Sequence, residues 1–416
     1  MPDNAFSVLT VPTSRRTAAV DAAAVLLSLS LGKGVHMNAK EISEIRKRFR
    51  VDKSNITRIR GCYVNEKKEI ISRFDQSVAL MSAEETEEIF AILKKTLSGA
   101  VGKNLLDISF TNEQVLDSDE HRLLSALKNS SLSDDEAVEK IIGIIRESLV
   151  IEGNYMILLA ADTYDVPSYS SDGARKDESQ SVYSYILCSI CPVKMTRAAL
   201  GYCLPENRFR NVTPDWVISA PEIGFLFPAF DGRTANIYDT LYYTRNTADN
   251  HGELIESLFR AEVPMSAAEQ KESFGTILRD TVSDECSYDV VCSVQEKIGE
   301  IIEEHRASRD PDPLVISKST VSDVLRSCDV AEEKIESFAG KFDETFGSHA
   351  EVAPFNIIDT KQLEVKTPDV VIKLSPEAAG LLETRVIDGQ KFIVIRAEGT
   401  VEVNGVEISI CEDKDK

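Results

Sequence analysis

Acidic side chains crowd the polar stretch that follows the first long apolar run of this sequence. Asp162, Asp165, Asp172, Asp177 and Glu178 fall within that stretch. Further along the chain, the acids that could join them are Asp215, Glu222 and Asp231. Carboxylate oxygens are the ligands that hard divalent cations prefer, and long polar loops often carry function. The pattern therefore indicates a possible divalent-metal site, although a cluster of acids is more often a solvated surface.

Four of these acids define one candidate chemistry. Asp162, Asp165, Asp215 and Glu222 are the candidate ligands of a divalent-metal-dependent hydrolase that acts on a phosphoester. A bound cation in such an enzyme polarises the phosphoryl oxygens and activates a water molecule. In a chain with 69 acidic residues, solvation is the commoner explanation for any acidic cluster. The hydrolase is therefore kept as the alternative function, and no other cofactor is predicted.

The segment Lys40–Arg60 has the opposite charge to the rest of the chain. It holds eight basic residues against three acidic ones, in a protein whose net charge is −22. Arginine suits the forked oxygens of phosphate and carboxylate groups. The segment therefore contains a candidate anion-binding patch. Its members are Arg46, Lys47, Arg48, Arg50, Arg58 and Arg60.

Two interpretations of this basic segment stay open. It either binds an external anion or contacts the acidic surface of its own chain. The remaining surface is strongly acidic, and such a surface repels nucleic-acid backbones and anionic lipid. Charge therefore favours the internal contact and disfavours nucleic acid and membranes as partners.

Other short motifs lack the residues that their chemistry needs. A phosphate-binding loop around Gly102-Lys103 would need an earlier glycine and a following Ser or Thr, and the chain has Leu97 and Asn104 there. The Gly99–Gly102 spacing of nucleotide-clamping loops is followed by a strand-like run rather than a helix. No serine-nucleophile or dinucleotide-binding signature occurs. We interpret Gly99–Gly102 as the end of a helix.

The eight cysteines show no disulfide framework. Cys188 and Cys191 have the spacing of half a zinc site or a redox pair. Side chains three residues apart on a strand point to opposite faces, so only a sharp turn at Pro192 would bring the two sulfur atoms together. We interpret them as buried thiols, and a chain that needs no disulfides is expected to be cytoplasmic.

Long apolar runs rich in aromatic residues must form the scaffold that positions these groups. They are bounded by Pro, Gly, Asp or Asn, which predicts the strands of one buried sheet. The runs are Tyr155–Ala161, Val182–Ile190, Trp216–Phe230 and Ile237–Thr244. Near the C-terminus, Asp388-Gly389 and Asn404-Gly405 each separate two short β-prone runs. These pairs provide the positive φ angles that two-residue hairpins need.

The predicted fold class is α+β, with several domains. A central antiparallel sheet is flanked by helices, and a small antiparallel β-domain ends the chain. The predicted boundaries are 1–36 for an extension, which is either a mis-assigned start or a disordered segment, and 37–150 for a mainly helical region with one β-hairpin. The sheet is predicted over 151–261, a helical region with a linker near 306–313 over 262–347, and the C-terminal β-domain over 353–411. Capping-box spacing at Ser133/Glu136 and Ser266/Glu269 predicts two helix starts.

Several short sequences stand in the same order as in a known family. They are Ser54–Arg58, Gly61–Asn65, Lys95–Gly99, Tyr185–Val193, Gly224–Phe230, Glu269–Phe274, Lys366–Lys373 and Glu383–Gly389. From Met37 nearly to its end, the chain resembles the bacterial family catalogued as domain of unknown function 4317. That resemblance implies no activity, cofactor or catalytic residue.

Residues 1–36 differ in character from the remainder. Arg15-Arg16 and Ala22–Leu31 resemble a signal peptide, but Asp21 interrupts the pattern and no cleavage site follows. Members of the similar family begin with a sequence like Met37–Ile42. We therefore expect translation to start at Met37.

Function is the least determined property of this sequence. The chain has apolar content for several cores, and no group of residues has catalytic spacing. We therefore expect a cytoplasmic, non-enzymatic binding or regulatory protein, with the hydrolase as its alternative.

Overall fold

A large antiparallel sheet organises the chain between residues 58 and 244. The computed structural model describes residues 37–169, 175–282, 288–348, 350–397 and 399–408. Within these ranges the sheet has eight strands, β1 Arg58–Val64, β2 Ile70–Ser77, β3 Leu105–Ser109, β4 Asn154–Tyr169, β5 Arg175–Met195, β8 Trp216–Ile218, β9 Ile223–Phe227 and β12 Asp239–Thr244. Their order is β2-β1-β4-β5-β9-β12-β3, and β8 pairs with β5. The predicted central antiparallel sheet is thus confirmed.

The four predicted runs all contain strands, but their bounds differ from the prediction. Strands β4 and β5 extend beyond their apolar centres and pair from Asn154↔Val193 to Tyr169↔Arg175. The third run is divided into β8, β9 and β10 (Ala229–Asp231), and β10 pairs with β11 (Thr234–Asn236). Beyond the sheet, β6 (Ala199–Cys203) and β7 (Arg208–Val212) form a separate hairpin.

The sheet takes strands from both sides of residue 150. The hairpin of β1 and β2 pairs with β4, and β3 pairs with β12. An isolated hairpin cannot bury an apolar face by itself, so the sheet provides the surface that completes it. The first 100 described residues therefore contribute to the central sheet as well as to its helical covering.

Helices cover both faces of the sheet. One apolar core contains Leu124, Ile141 and Phe259, and the other contains Ile45 and Leu93. The helices are α1 Ala39–Arg46, α2 Ala83–Lys95, α3 Asn112–Asp117, α4 Asp119–Asn129, α5 Asp135–Ser148 and α6 Gly252–Phe259. Alternate side chains of β4 and β5 point into opposite cores, which explains why these strands are apolar along both faces.

A third apolar core belongs to the helices that follow the sheet. Phe274, Ile298, Val321, Phe338 and Ile357 are among its buried members. The helices of this region are α7 Ala267–Val282, α8 Tyr288–Ser308, α9 Lys318–Ser327, α10 Glu332–Phe346 and α11 Pro354–Ile357. None of the helices in the described ranges has both the length and the apolar composition that a membrane crossing needs.

One of the two predicted capping boxes is present. Ser266 Oγ accepts the backbone N–H of Glu269, and a Glu269 carboxylate oxygen accepts the N–H of Ser266. The prediction at Ser133 is wrong, because Asp134 is the N-cap of α5 and accepts the N–H of Ala137. Aspartate and serine are both good N-caps, so adjacent candidates compete for this position.

The C-terminal strands form small antiparallel hairpins, as the fold prediction requires. In both tight turns the two central residues have positive φ: 51° and 78° at Asp388-Gly389, and 51° and 84° at Asn404-Gly405. The strands are β13 Leu363–Lys366, β14 Val371–Leu374, β15 Leu382–Ile387, β16 Gln390–Ile395, β17 Val401–Val403 and β18 Val406–Ile408.

A substitution at Gly61 on β1 tests how closely this strand approaches β4. A Cβ atom at Gly61 would lie 1.8 Å from the backbone oxygen of Ile157, whereas a Cβ at Gly143 in α5 would meet nothing within 4 Å. We expect Gly61→Ala to lower the free energy of unfolding by about 3 kcal/mol, because backbone must move to admit the methyl group. Gly143→Ala should raise it by roughly 0.5–1 kcal/mol, since alanine is the better helix former. Urea denaturation measures both, and equal effects would contradict the close approach.

Candidate functional site

The N-terminal basic segment forms one wall of an open cleft of about 720 Å³. The opposite wall is the outer part of β4. We call this the N-terminal cleft, and its lining residues are Lys40, Ser43, Glu44, Lys47, Arg48, Asp52, Lys53, Asn55, Tyr164, Asp165 and Pro167. A cavity of this volume is large enough for a small ligand.

The amphipathic character of α1 places the lysines at this cleft. Asn38 caps the helix in a capping box with Glu41. Ile42, Ile45 and Phe49 are buried against the sheet. Residues three and four positions apart lie on one helix face, so the charged residues between these apolar ones face away from the core.

A buried carboxylate joins the basic segment to β4. Asp162 is 3% exposed, and its Oδ1 accepts the backbone N–H groups of Asn55 and Thr163, both at 2.8 Å. Its Oδ2 accepts the Tyr185 hydroxyl at 2.9 Å and lies 3.4 Å from Nε of Arg48. Both carboxylate oxygens are therefore occupied by groups of this chain, which balances the cost of burying the charge.

The arginine of this network is held on a second side as well. The guanidinium carbon of Arg48 lies 4.9 Å from the centre of the Tyr164 ring, a cation–π distance. Asn55 Nδ2 donates to the Thr163 carbonyl at 2.6 Å, which fixes the loop after Arg48. Burial and the nearby Asp162 charge raise the pKa of Tyr185 well above its usual value, so this hydroxyl stays a donor.

Two glutamates fasten α1 to the turn between β10 and β11. Glu44 accepts Arg233 Nη2 at 3.0 Å and the Tyr164 hydroxyl at 2.7 Å. Glu41 accepts the backbone N–H of Arg233 at 3.2 Å, and burial raises the pKa of its carboxyl group. The helix is thus attached to the sheet by charged groups as well as by its apolar face.

The structure divides the six predicted anion-binding residues into different settings. Arg48 pairs with Asp162, and Arg50 pairs with Asp52 at 2.9 Å. Arg58 and Arg60 lie on β1 and contact Asp75 at 3.1 and 3.7 Å, and Arg60 also reaches Asp135 at 2.7 Å. Most of these arginines contact acids of their own chain, which is the internal arrangement that the net charge favours.

The other two patch residues are placed differently. Lys47 is exposed and lines the cleft together with Lys40 and Lys53. Arg46 lies half-buried in the last turn of α1, and its Nε has no hydrogen-bond partner among the described residues. The cations of the segment thus separate into paired arginines and cleft lysines.

The four predicted metal ligands are not brought together. Asp165 is exposed at the N-terminal cleft, whereas Asp162 is saturated by its own partners. The backbone N–H of Glu222 donates to the carbonyl of Ile190 on β5. Ile190 lies five residues, or roughly 17 Å, along the strand from Tyr185, the residue that pairs with Asp162. Within the described ranges, no three His, Cys, Asp or Glu residues are grouped so that they could hold a metal ion.

The fourth predicted ligand lies farther away. Asp215 exchanges hydrogen bonds with Thr196, beyond the end of β5, and its carboxylate accepts the N–H of Trp216 at 2.8 Å. Glu222 contacts Arg245 at 3.9 Å. Asp231 is the last residue of β10, next to the turn at Arg233. Asp172 lies outside the described residues, and Asp177 and Glu178 lie on β5.

The predicted burial of Cys188 and Cys191 is confirmed. Strand β5 continues through Pro192 to Met195, so no turn brings the two thiols together. Cys188 points into the core on one face of the sheet and Cys191 into the core on the other. Burial raises the pKa of Cys191 to about 12 and that of Cys62 to about 11. Cys286 and Cys411 lie outside the described residues.

Replacing Asp162 tests the buried network. We expect Asp162→Asn to lower the free energy of unfolding by about 3 kcal/mol, because Arg48 loses its charged partner while staying largely buried. Asp165→Asn is the matched control on the same strand, and its exposed side chain should give a change within roughly 0.5 kcal/mol. Chemical denaturation provides the comparison. A variant of Asp162 as stable as the control would show that the ion pair contributes nothing.

Thiol modification tests the cysteine environments. The thiolate is the nucleophile, so iodoacetamide at neutral pH should leave Cys62, Cys188 and Cys191 unmodified until the chain is denatured. Cys203 and Cys328 are only partly buried and should react first. Burial raises the pKa of the Cys62 and Cys191 thiols above the value in the unfolded chain, so these thiols add to the free energy of unfolding below about pH 9. This contribution is lost as the pH rises towards 11–12. Peptide mass spectrometry identifies each modified residue, and early labelling of Cys188 would contradict its burial.

Comparison with known proteins gives a single family and no function. The family model described as Domain of unknown function (DUF4317) matches residues 37–406, which is most of the chain. No curated protein and no solved structure matches. The matched range begins at Met37, and the predicted extension 1–36 lies outside the described residues.

Proposed function

The chain belongs to the family described as Domain of unknown function (DUF4317), and we propose that it is a cytoplasmic, non-enzymatic binding or regulatory protein. Its sheet holds the N-terminal cleft as the recognition site for a small ligand that carries carboxylate or phosphate groups. The observation that carries this proposal is a set of exposed lysines at the cleft that make no ion pair with any described residue. These lysines are Lys40, Lys47 and Lys53.

The contrast between arginines and lysines supports this assignment. Arg48, Arg58 and Arg60 contact acids or carbonyl groups of their own chain. A guanidinium group suits such fixed, multidentate contacts, whereas an ammonium group on a flexible stem adapts to a ligand. Of these arginines, Arg48 lines the cleft and is held by its own chain, whereas the cleft lysines remain available to an anion.

The acids at the cleft limit the kind of ligand. Glu44 is engaged by Arg233 and Tyr164, and Asp52 is engaged by Arg50. Asp165 makes no ion pair with a described residue, and it would repel a ligand that is densely charged along its whole length. A small anion with a few charges fits this arrangement better than a nucleic acid, which the net charge of −22 also disfavours.

The choice of a non-enzymatic protein over a hydrolase rests on the positions of the acids, and the cytoplasmic location rests on the buried thiols. Asp162 serves the internal network, and Asp215 and Glu222 lie far along the sheet, so the alternative hydrolase gains no support from their positions. Cys62, Cys188 and Cys191 are free and buried, which suits a reducing compartment such as the cytoplasm.

Removing the cleft lysines tests the proposed site. Titration calorimetry with citrate and with pyrophosphate should show binding to the unmodified protein that weakens with added salt, because exposed charges are screened. In the triple variant Lys40→Gln, Lys47→Gln and Lys53→Gln, we expect affinity to fall by about tenfold or more, at unchanged melting temperature.

A matched control uses lysines elsewhere on the same part of the chain. Lys67, Lys95 and Lys140 are exposed and lie outside the N-terminal cleft, and their triple glutamine variant carries the same change in net charge. It should bind as the unmodified protein does. Equal loss of affinity in both triple variants would mean that net charge rather than the cleft attracts the anion, and would refute the proposal.

A further inference from the structure

A second cleft lies between a loop of the sheet region and the helices of the third core. Its volume is about 670 Å³, which is within the range of small-ligand sites. One wall is the glycine-rich loop that contains Ala100 and Lys103. The other wall comes from the first turns of α7, the end of α8 and the segment after α11. We call this the inter-core cleft, and it is separate from the N-terminal cleft.

The charge of the inter-core cleft is opposite to that of the chain. Four cations line it, Lys103, Lys271, Arg306 and Lys361, against one acid, Asp359. The Asp359 carboxylate already accepts the backbone N–H groups of Lys361 and Gln362, at 2.9 and 3.2 Å.

Most of these cations have no anionic partner. Within the described ranges, Lys103, Lys271 and Lys361 make no ion pair, whereas Arg306 pairs with Glu303 of its own helix. In a protein with an excess of acidic residues, three unpaired lysines around one cavity indicate a site for an anion.

Asn356 lines the inter-core cleft and carries a buried hydrogen-bond acceptor that a ligand could satisfy. Asn356 is 3% exposed, and its Nδ2 donates to the carbonyl of Gly102 at 2.7 Å and to Gln270 Oε1 at 3.0 Å. These two acceptors fix which end of the carboxamide is nitrogen. Asn356 Oδ1 accepts no hydrogen bond from any described residue, and leaving a buried acceptor unpaired costs about 1–3 kcal/mol. A ligand hydroxyl or amino group would supply the missing donor.

The N-terminus of α7, which begins at the inter-core cleft, contributes less to anion binding than the cationic side chains. Ala267 and Ala268 of α7 line the cleft, and a helix N-terminus attracts anions. However, the capping box of Ser266 and Glu269 already occupies this N-terminus and adds a negative charge there. The anion must therefore be held by the lysines and Arg306.

We propose that the inter-core cleft binds a small organic phosphate that carries a free hydroxyl group. The phosphate contacts Lys103, Lys271 and Lys361, and the hydroxyl donates to Asn356 Oδ1. Lys103 belongs to the sheet region and the other residues belong to the helical region. The ligand therefore bridges two parts of the chain that have separate apolar cores, and binding stabilises their contact by mass action.

Titration of the full chain with defined probes tests this site. Ribose 5-phosphate, glucose 6-phosphate and glycerol 3-phosphate carry both groups, whereas propyl phosphate lacks the hydroxyls and ribose lacks the phosphate. We expect at least one hydroxylated phosphate to bind about tenfold more tightly than propyl phosphate, and ribose to show no binding. The variant Lys103→Gln, Lys271→Gln and Lys361→Gln should lose about tenfold or more in affinity for that probe.

The controls separate this site from the N-terminal cleft. The triple glutamine variant of Lys40, Lys47 and Lys53 should bind the hydroxylated phosphate unchanged, so each site is tested independently. If the triple variant of the inter-core cleft has a lowered melting temperature, Lys271→Gln alone provides the same comparison of affinities with the unmodified protein. The proposal fails if no hydroxylated phosphate binds at roughly 10 mM, a concentration that detects even weak sites. It also fails if the lysine variants keep full affinity or if propyl phosphate binds equally well.

Discussion

The buried carboxylate of Asp162 fixes the loop that follows the first helix against the central sheet. It accepts hydrogen bonds from two backbone N–H groups and one tyrosine hydroxyl and forms an ion pair with Arg48, and these partners come from the N-terminal segment and from both central strands. A charge in this position is tolerated only while all of its partners are present. The part of the N-terminal cleft that Arg48 and Asn55 form therefore depends on one correctly paired acid.

The sequence was sufficient for those features that depend on local pattern. The apolar runs predicted the strands of the central sheet, and Asp388-Gly389 and Asn404-Gly405 predicted two tight turns, because positive φ is a property of the residues themselves. The spacing of Cys188 and Cys191 was enough to place the thiols on opposite faces. The continuous apolar runs also indicated a buried sheet, but they could not show which helices cover each face, since those helices are distant in sequence.

The role of Asp162 could not be predicted from its neighbours. In the sequence it belongs to a row of acids that resembles a metal site. Its partners Arg48 and Asn55 are more than 100 residues away, and Tyr185 meets it only through the register of β4 and β5. The same applies to Asn356, whose contacts with Gly102 and Gln270 join distant segments. The sequence identified the basic segment, but only the structure separates its paired arginines from its cleft lysines.

The position of β3 at the edge of the sheet has a consequence for the timing of folding. Its residue Leu105 pairs with Tyr243, so the partner strand is synthesised 138 residues later. At a translation rate of roughly 5–20 residues per second, this interval is on the order of ten seconds. Loop closure over such a distance also slows folding of the finished chain. During synthesis, the backbone N–H and C=O groups of β3 therefore lack a partner strand, and an unpaired strand edge exposes a nascent chain to aggregation or chaperone capture.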